Sequence, residues 1–200
     1  MPPDSQALEV IRAFVSGELP TADFEQRLYR EAGIEALLSV EPAPPSCQTG
    51  ITLFHHLIGL DYSNPGHLLE AQSALADLLE CRGITVTPSP RPAEEHDLIL
   101  SAQPRWLDAD MSYLSGLLAT APAGSYKERK AWLRQQILEL FRFRTRPPRW
   151  LQAPNWPLGR SGPMVFLGQL AVDEYFHDRA AVYVFHDPAT GECTSIVQVA

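Results

Sequence analysis

Apolar positions in the first part of the chain recur every three or four residues. Leu8, Ile11, Phe14 and Val15 form one stripe that stops at Gly17, and Asp4 or Ser5 is placed to cap the helix it predicts. Thr21 is placed to cap a second helix, with Asp23 near its positive end and Phe24 and Leu28 four apart. Residues 34–40 are a third apolar stretch, stopped by Glu41-Pro42-Ala43-Pro44-Pro45, which cannot continue a helix. A fourth helix is expected over residues 50–60, from the spacing of Leu53, Phe54, Leu57 and Ile58. The fifth is the best delimited. Asn64 caps it, Pro65 occupies its first turn, Leu68, Leu69, Gln72, Leu75 and Leu79 follow, and Gly83 supplies a left-handed stop. Short amphipathic helices bury their stripes only against each other.

After Gly83 the period changes. Ile84-Thr85-Val86-Thr87 alternates like a short strand, and Pro88-Ser89-Pro90-Arg91-Pro92 reads as a linker. Leu98-Ile99-Leu100 has the composition of a buried strand, and residues 107–120 have helical spacing through Leu107, Met111, Leu114, Leu117 and Leu118. Ser125 with Glu128 is a capping-box pattern ahead of a long helix reaching about Phe143. Three candidate strands follow, at 164–167, 181–185 and 195–199. The turn chemistry of Asp187-Pro188-Ala189-Thr190-Gly191 makes the last two an antiparallel hairpin. The pattern predicts an α+β fold: a helical subdomain over 1–87, a linker over 88–97, and an α+β subdomain over 98–200. The helices should pack with an antiparallel C-terminal sheet and a long helix.

Composition adds a charge map. The 200 residues carry a net charge of −8, unevenly spread. Residues 1–125 hold six arginines, no lysine and seventeen carboxylates, whereas residues 126–149 hold eight basic residues against two glutamates. An acidic body steers a basic partner and disfavours a whole-protein nucleic-acid binder, although the basic stretch alone leaves a phosphate-binding reading open. Its Arg142, Arg144 and Arg146 alternate with Phe141 and Phe143, a spacing of two that suits an extended exit from the helix rather than one helical face. The start of the chain lacks the basic and apolar regions of a secretion signal, no apolar run is long enough to span a bilayer, and three cysteines show no paired spacing. These features predict a cytoplasmic protein with no membrane association.

Reaction chemistry is sparse. His55, His56, His67, His96, His177 and His186 make neither HxxxH nor HExxH spacing, so no metal is expected. There is no GxSxG elbow and no phosphate-binding P-loop, and Cys81 is expected to be a buried thiol on an apolar helix face. No catalytic residue and no cofactor is predicted. Glu94, Glu95 and Asp97, then Asp108 and Asp110, cluster carboxylates in what read as loops after the linker. They serve either as a solvated surface or as the rim of a partner contact, for which Trp106 is a candidate aromatic anchor.

Two family resemblances sharpen this. Phe14-Val15-Ser16-Gly17-Glu18-Leu19, Phe24-Glu25, Leu28-Tyr29, Leu57-Ile58 and Asp61-Tyr62 resemble a helical module found in immunity proteins of bacterial polymorphic toxin systems. Pro148-Arg149-Trp150-Leu151-Gln152, Trp156-Pro157, residues 162–170, Tyr183-Val184-Phe185, Thr190-Gly191-Glu192 and Gln198 are similar to the YwqG-like bacterial family, which has no established activity. In that segment Gln169 and Gln198 are expected to bond neighbouring backbone. The resemblances imply a non-enzymatic immunity protein that occludes the active site of a cognate toxin with a basic surface. The competing readings are a hydrolase that reverses a toxin-made modification, through groups such as Asp61, His67 or Asp110, and a phosphate or nucleic-acid binder using residues 126–149.

Overall fold

Four of the helices begin at a side chain that accepts one of their first amides. In the computed structural model, which describes residues 3–44 and 51–200, Asn64 accepts a bond from the Gly66 amide and Pro65 opens α5 (Pro65–Cys81). Gly83 lies beyond its end at φ +73°, the left-handed stop predicted. Thr52 caps the short α4 (Leu53–Ile58). The first helix, α1 (Pro3–Ser16), starts ahead of both expected caps and ends at Gly17, whose φ is +80°. Thr21 is the first residue of α2 (Thr21–Arg30) rather than its cap; Pro20 holds that position and supplies no side-chain acceptor. Helix α3 (Ala32–Ser39) completes the set. Pro45, one of the three cysteines (Cys47) and the first residue of the helix expected over 50–60 lie outside the described residues.

The chain divides into two compact units, Met1–Asp97 and Leu98–Ala200. The first is built on an aliphatic and aromatic core in which Phe14 stacks on Phe24 with ring centroids 3.9 Å apart and Tyr62 meets Phe14 edge-on at 6.5 Å. Ile84 and Val86 lean on this core, but the strand expected at 84–87 does not form. A helical unit offers no neighbouring ladder, and an isolated strand leaves its amides unpaired. The expected linker and the expected strand at 98–100 are both corrected by one helix, α6 (Arg91–Ala102). Pro92 falls in its first turn, where a missing N–H costs nothing, so the proline run starts a helix instead of prolonging a tether. Leu98, Ile99 and Ala102 are buried while Leu100 is 46% exposed, which is a helical and not a strand periodicity.

The second unit contains α7 (Met111–Ala119), α8 (Tyr126–Leu140) and the strands β1 (Leu158–Gly159), β2 (Gly162–Pro163), β3 (Val165–Ala171), β4 (Ala180–His186) and β5 (Cys193–Val199). The last three form an antiparallel sheet in the order β3-β4-β5, and β1 pairs with β2. The fold is α+β. Asp187 closes the β4–β5 turn by accepting the Ala189 amide at 2.8 Å, with Gly191 at φ +76°. Helix α8 opens with the predicted capping box and stops at Leu140, three residues short of the expected end. Beyond it the chain runs extended beside β3, where Phe143 bridges Phe166 in parallel and Arg144 donates to the Phe166 carbonyl at 3.0 Å.

Residues 149–153 cross the inner face of this sheet. Tyr183 donates its hydroxyl to the Arg149 carbonyl and accepts the Leu151 amide, both at 2.9 Å. The Gln198 oxygen accepts the amides of Leu151 and Gln152 at 3.0 Å, while its nitrogen donates to the Ala153 carbonyl at 2.9 Å. Gln169 accepts the Arg149 amide at 2.7 Å and donates to the Arg149 carbonyl at 3.3 Å. Both glutamines therefore bond backbone, as expected. Above them Trp150 lies 4.6 Å from Tyr183, and Trp156 meets Phe185 edge-on at 5.3 Å.

Two predictions follow from these contacts. Gln198 is 5% exposed, so Gln198→Met leaves at least the Ala153 carbonyl and the Gln152 amide without their partner. The loss should lower stability by about 2 kcal/mol, read as a reduced urea midpoint at constant slope. A change below about 0.5 kcal/mol would mean the clamp is dispensable. At the other end, the Ser125 hydroxyl and then its amide hold the Glu128 carboxyl below its ordinary value. A lowered folded value means the contribution is complete above the unfolded value and is lost as pH falls through the folded one. In an NMR titration the Glu128 midpoint should rise in Ser125→Ala; an unmoved midpoint refutes the box as the cause.

Candidate interaction surface

Among the described residues no three of His, Cys, Asp and Glu are arranged to hold a metal ion. Asp61 and His67 are neighbours, but as turn chemistry: the Asp61 amide donates to His67 Nδ1 at 3.0 Å, and the Asp61 carboxylate accepts the Ser63 amide and hydroxyl. Asp110, the third member of the hydrolase reading, belongs to the other unit, where it caps α7 by accepting the Tyr113 amide at 2.7 Å. The Tyr62 phenol is buried with no hydrogen-bond partner among the described residues, and burial, with Tyr29 and Glu25 nearby, pushes its pKa up. Cys81 is exposed at the end of α5, contrary to the buried thiol expected, because the apolar stripe of that helix passes through Leu75, Leu78 and Leu79 and leaves Cys81 off it.

The expected partner residues fall into two groups. Glu94, Glu95 and Asp97 are on α6 in the first unit rather than in loops, with Glu94 and Asp97 exposed and Glu95 half-buried. Trp106, Asp108 and Asp110 belong to the second unit. Asp108 is exposed in a loop, Asp110 serves the α7 cap, and Trp106 is half-buried against Trp156 and Phe143, its carbonyl accepting the Trp150 indole N–H at 2.9 Å. The arginines after α8 behave as their spacing suggested. Arg142, Arg144 and Arg146 are exposed, while Phe141 is buried.

The sheet provides a surface that spacing along the chain did not reveal. In β4 residues 181, 183 and 185 are buried, so Val182 and Val184 lie on the opposite face. Register carries that face across the strands: Leu170 pairs with Val182 and Val182 with Val197, and the next row is Gly168, Val184 and Ser195. A bulge between Phe166 and Gly168 adds Leu167, which is 39% exposed. Leu170 and Val197 are 66% and 52% exposed. Antiparallel sheets ordinarily turn polar residues to water, yet these rows contain no Asp, Glu, Lys or Arg. At the Leu170 end the β3–β4 connection exposes Tyr175 and Phe176 among Asp173, Glu174 and Asp178.

Three strands of seven residues make a plate of roughly 24 by 14 Å. Two such plates face to face would bury about 700 Å² in total, short of the ~1,200 Å² at the lower end of stable interfaces. The face is therefore too small to dimerise stably by itself.

No family model, curated protein or solved structure matches this chain.

Because Leu170 and Val197 are more than half exposed, the double substitution Leu170→Lys with Val197→Lys should change unfolding free energy by less than about 1 kcal/mol. A larger loss in thermal or urea denaturation would show that the face is covered within the molecule.

Proposed function

We propose that this chain is a non-enzymatic, cytoplasmic immunity protein that binds a cognate bacterial toxin domain and occludes its active site. The observation that carries the reading is the uncharged apolar sheet face edged by Asp173, Glu174 and Asp178, the arrangement of an interface core with a polar rim. A plate of this size needs a partner that extends onto the neighbouring connection, where the carboxylates favour a basic surface. The excess of carboxylates over residues 1–97 favours the same partner at long range. The resemblances to immunity modules support the biological class. Among the described residues no helix is long and apolar enough to cross a membrane, which fits a partner met in solution. Glu94, Glu95 and Asp97 in the first unit, and Trp106 and Asp108 in the second, stand as two further proposed contacts, each taken by itself.

The test is co-expression with the product of the adjacent upstream reading frame. A stable complex that abolishes that product's toxicity is expected. Leu170→Lys with Val197→Lys should weaken it at least about tenfold, which corresponds to about 1.4 kcal/mol. Reversing Glu174 and Asp178 should slow association and flatten its salt dependence, with Asp173 left in place because it accepts the Ala180 amide; the same reversal at Glu94, Glu95 and Asp97, and separately at Asp108, tests the two further contacts, with Asp110 left in place as a cap. Complex formation indifferent to the sheet substitutions would remove the sheet face from the interface. Protection retained without any complex would overturn the whole reading.

A further inference from the structure

The sheet of the second unit treats its two edges differently. Along β3 the chain covers its own edge: the Phe166 amide donates to the Arg142 carbonyl at 2.9 Å and the Arg144 amide to the Phe166 carbonyl at 3.0 Å. The bulge between Phe166 and Gly168 breaks the ladder just beyond. Strand β5 has no such cover. Bonds between Arg179 and Ala200 at one end of the β4–β5 ladder, and between Asp187 and Glu192 at the other, fix its phase. Thr194, Ile196 and Gln198 therefore turn their amides and carbonyls to β4, and Cys193, Ser195, Val197 and Val199 turn theirs away. Among the described residues only the Val199 carbonyl of that outer row meets a partner, the Gln152 side-chain nitrogen at 2.6 Å.

Cys193, Ser195 and Val197 are exposed, so three residues offer six backbone groups to another strand. An open edge is ordinarily guarded by charge, proline or a bulge. Cys193–Val199 contains no Asp, Glu, Lys, Arg or Pro, and it pairs with β4 in unbroken register. Backbone spacing selects a second copy as the occupant. A two-fold axis normal to the sheet at Ser195 sets Ser195 opposite its own counterpart and Cys193 opposite Val197, and the six groups make six N–H···O bonds. An axis at Ile196 would call on the Val199 carbonyl that Gln152 already occupies. One at Thr194 would set Val197 against Gly191, whose amide is bonded to the Asp187 carbonyl.

Charge permits this pairing. In the Ser195 register the two copies of Glu192 stand about 20 Å apart along the strands. The two β3–β4 connections, with Asp173, Glu174 and Asp178, fall at opposite ends of the joined sheet. The unit that bears the edge has eleven basic and nine acidic residues, close to balance. Area gives the pairing a use. The row Leu170, Val182 and Val197 runs on into Cys193 of the second copy, and the uncharged plate doubles. A partner seated on six strands would bury about 1,400 Å² in total, inside the range of stable interfaces that three strands do not reach. We propose that two copies of this chain pair edge to edge through β5, antiparallel about Ser195, in a reversible dimer with one six-stranded sheet. The dimer does not depend on the toxin reading; it enlarges the surface to which that reading assigns the partner.

The experiment is sedimentation equilibrium on the full chain, with a dimer Kd below about 100 μM expected. Amide exchange at Cys193, Ser195 and Val197 should slow as concentration rises, while Thr194 and Ile196 are protected throughout. Ser195→Lys, at an exposed position, sets two ammonium groups opposite each other and should weaken the dimer at least about tenfold, as should Ser195→Glu; mixing the two variants should restore it. On a background of Cys47→Ser, Cys81→Ser and Cys193→Ser, oxidation of Ser195→Cys should yield a covalent dimer, because residues paired in this way lie about 5.5 Å apart, within disulfide reach. Val197→Cys on the same background, about 13 Å from its counterpart, should not cross-link. A chain still monomeric at about 1 mM would overturn the proposal. So would a dimer indifferent to Ser195→Lys, or one that Val197→Cys cross-links as readily as Ser195→Cys. Protection of the three amides that appears only with the upstream product would give the edge to a strand of that product and overturn self-pairing.

Discussion

Residues 149–153 run across the sheet without secondary structure of their own, so their amides and carbonyls need partners from side chains. Tyr183, Gln198 and Gln169 supply them from β4, β5 and β3 respectively. The clamp thus ties every strand of the sheet to one segment of chain. It also brings in the aromatic residues on either side, because Trp150 donates its indole N–H to the Trp106 carbonyl and Trp156 to the Met164 carbonyl. With each indole satisfied, the rings pack as hydrocarbon on Tyr183, Phe185 and Phe166. Losing Gln198 leaves several part-buried backbone groups unpaired at once, so the crossing segment depends on polar side chains as the strands depend on their ladders.

Using one sheet face in this way determines what the other face presents. Period-two alternation places Leu170, Val182, Val184 and Val197 opposite the residues that grip the crossing segment. An exposed apolar plate carries a risk of self-association. Here the risk is contained by size, and by carboxylates at the Leu170 end that would meet those of a second copy stacked face to face wherever the two-fold axis runs along the strands. The same carboxylates that disfavour a second copy favour a basic partner, so specificity arises from repulsion as well as attraction.

Where local chemistry sets the structure, the sequence was legible. Asn64-Pro65 and Gly83 bound α5, Ser125 and Glu128 start α8, and Asp187 through Gly191 turn the final hairpin, all by interactions within a few residues. Where the outcome depends on what lies alongside, it was not. Ile84 to Thr87 has strand alternation but no strand beside it, and Leu98 to Leu100 has strand composition inside a helix begun by Pro92. Thr21 was displaced as a cap because Pro20 already ends the preceding turn in an extended conformation. The sheet surface was illegible for a related reason: Leu170, Val182 and Val197 become neighbours only once the register is known.

The division of charge between the units bears on the proposed partner. Residues 98–200 carry eleven basic residues and nine acidic ones, close to balance, whereas residues 1–97 carry three times as many carboxylates as arginines. Ion pairs within the first unit engage Arg12, Arg27 and Arg82, on exposed or half-exposed side chains where each contributes little. The first unit is therefore held by its aliphatic core and the Phe14–Phe24 stack against a net repulsion among its own charges. Such a field is long-ranged and indiscriminate: it concentrates any basic surface and penalises any anion within about a Debye length. Selectivity must come from contact, through fit to the sheet plate. A basic protein is drawn into this field whatever its shape, and fit to the plate then decides whether it stays.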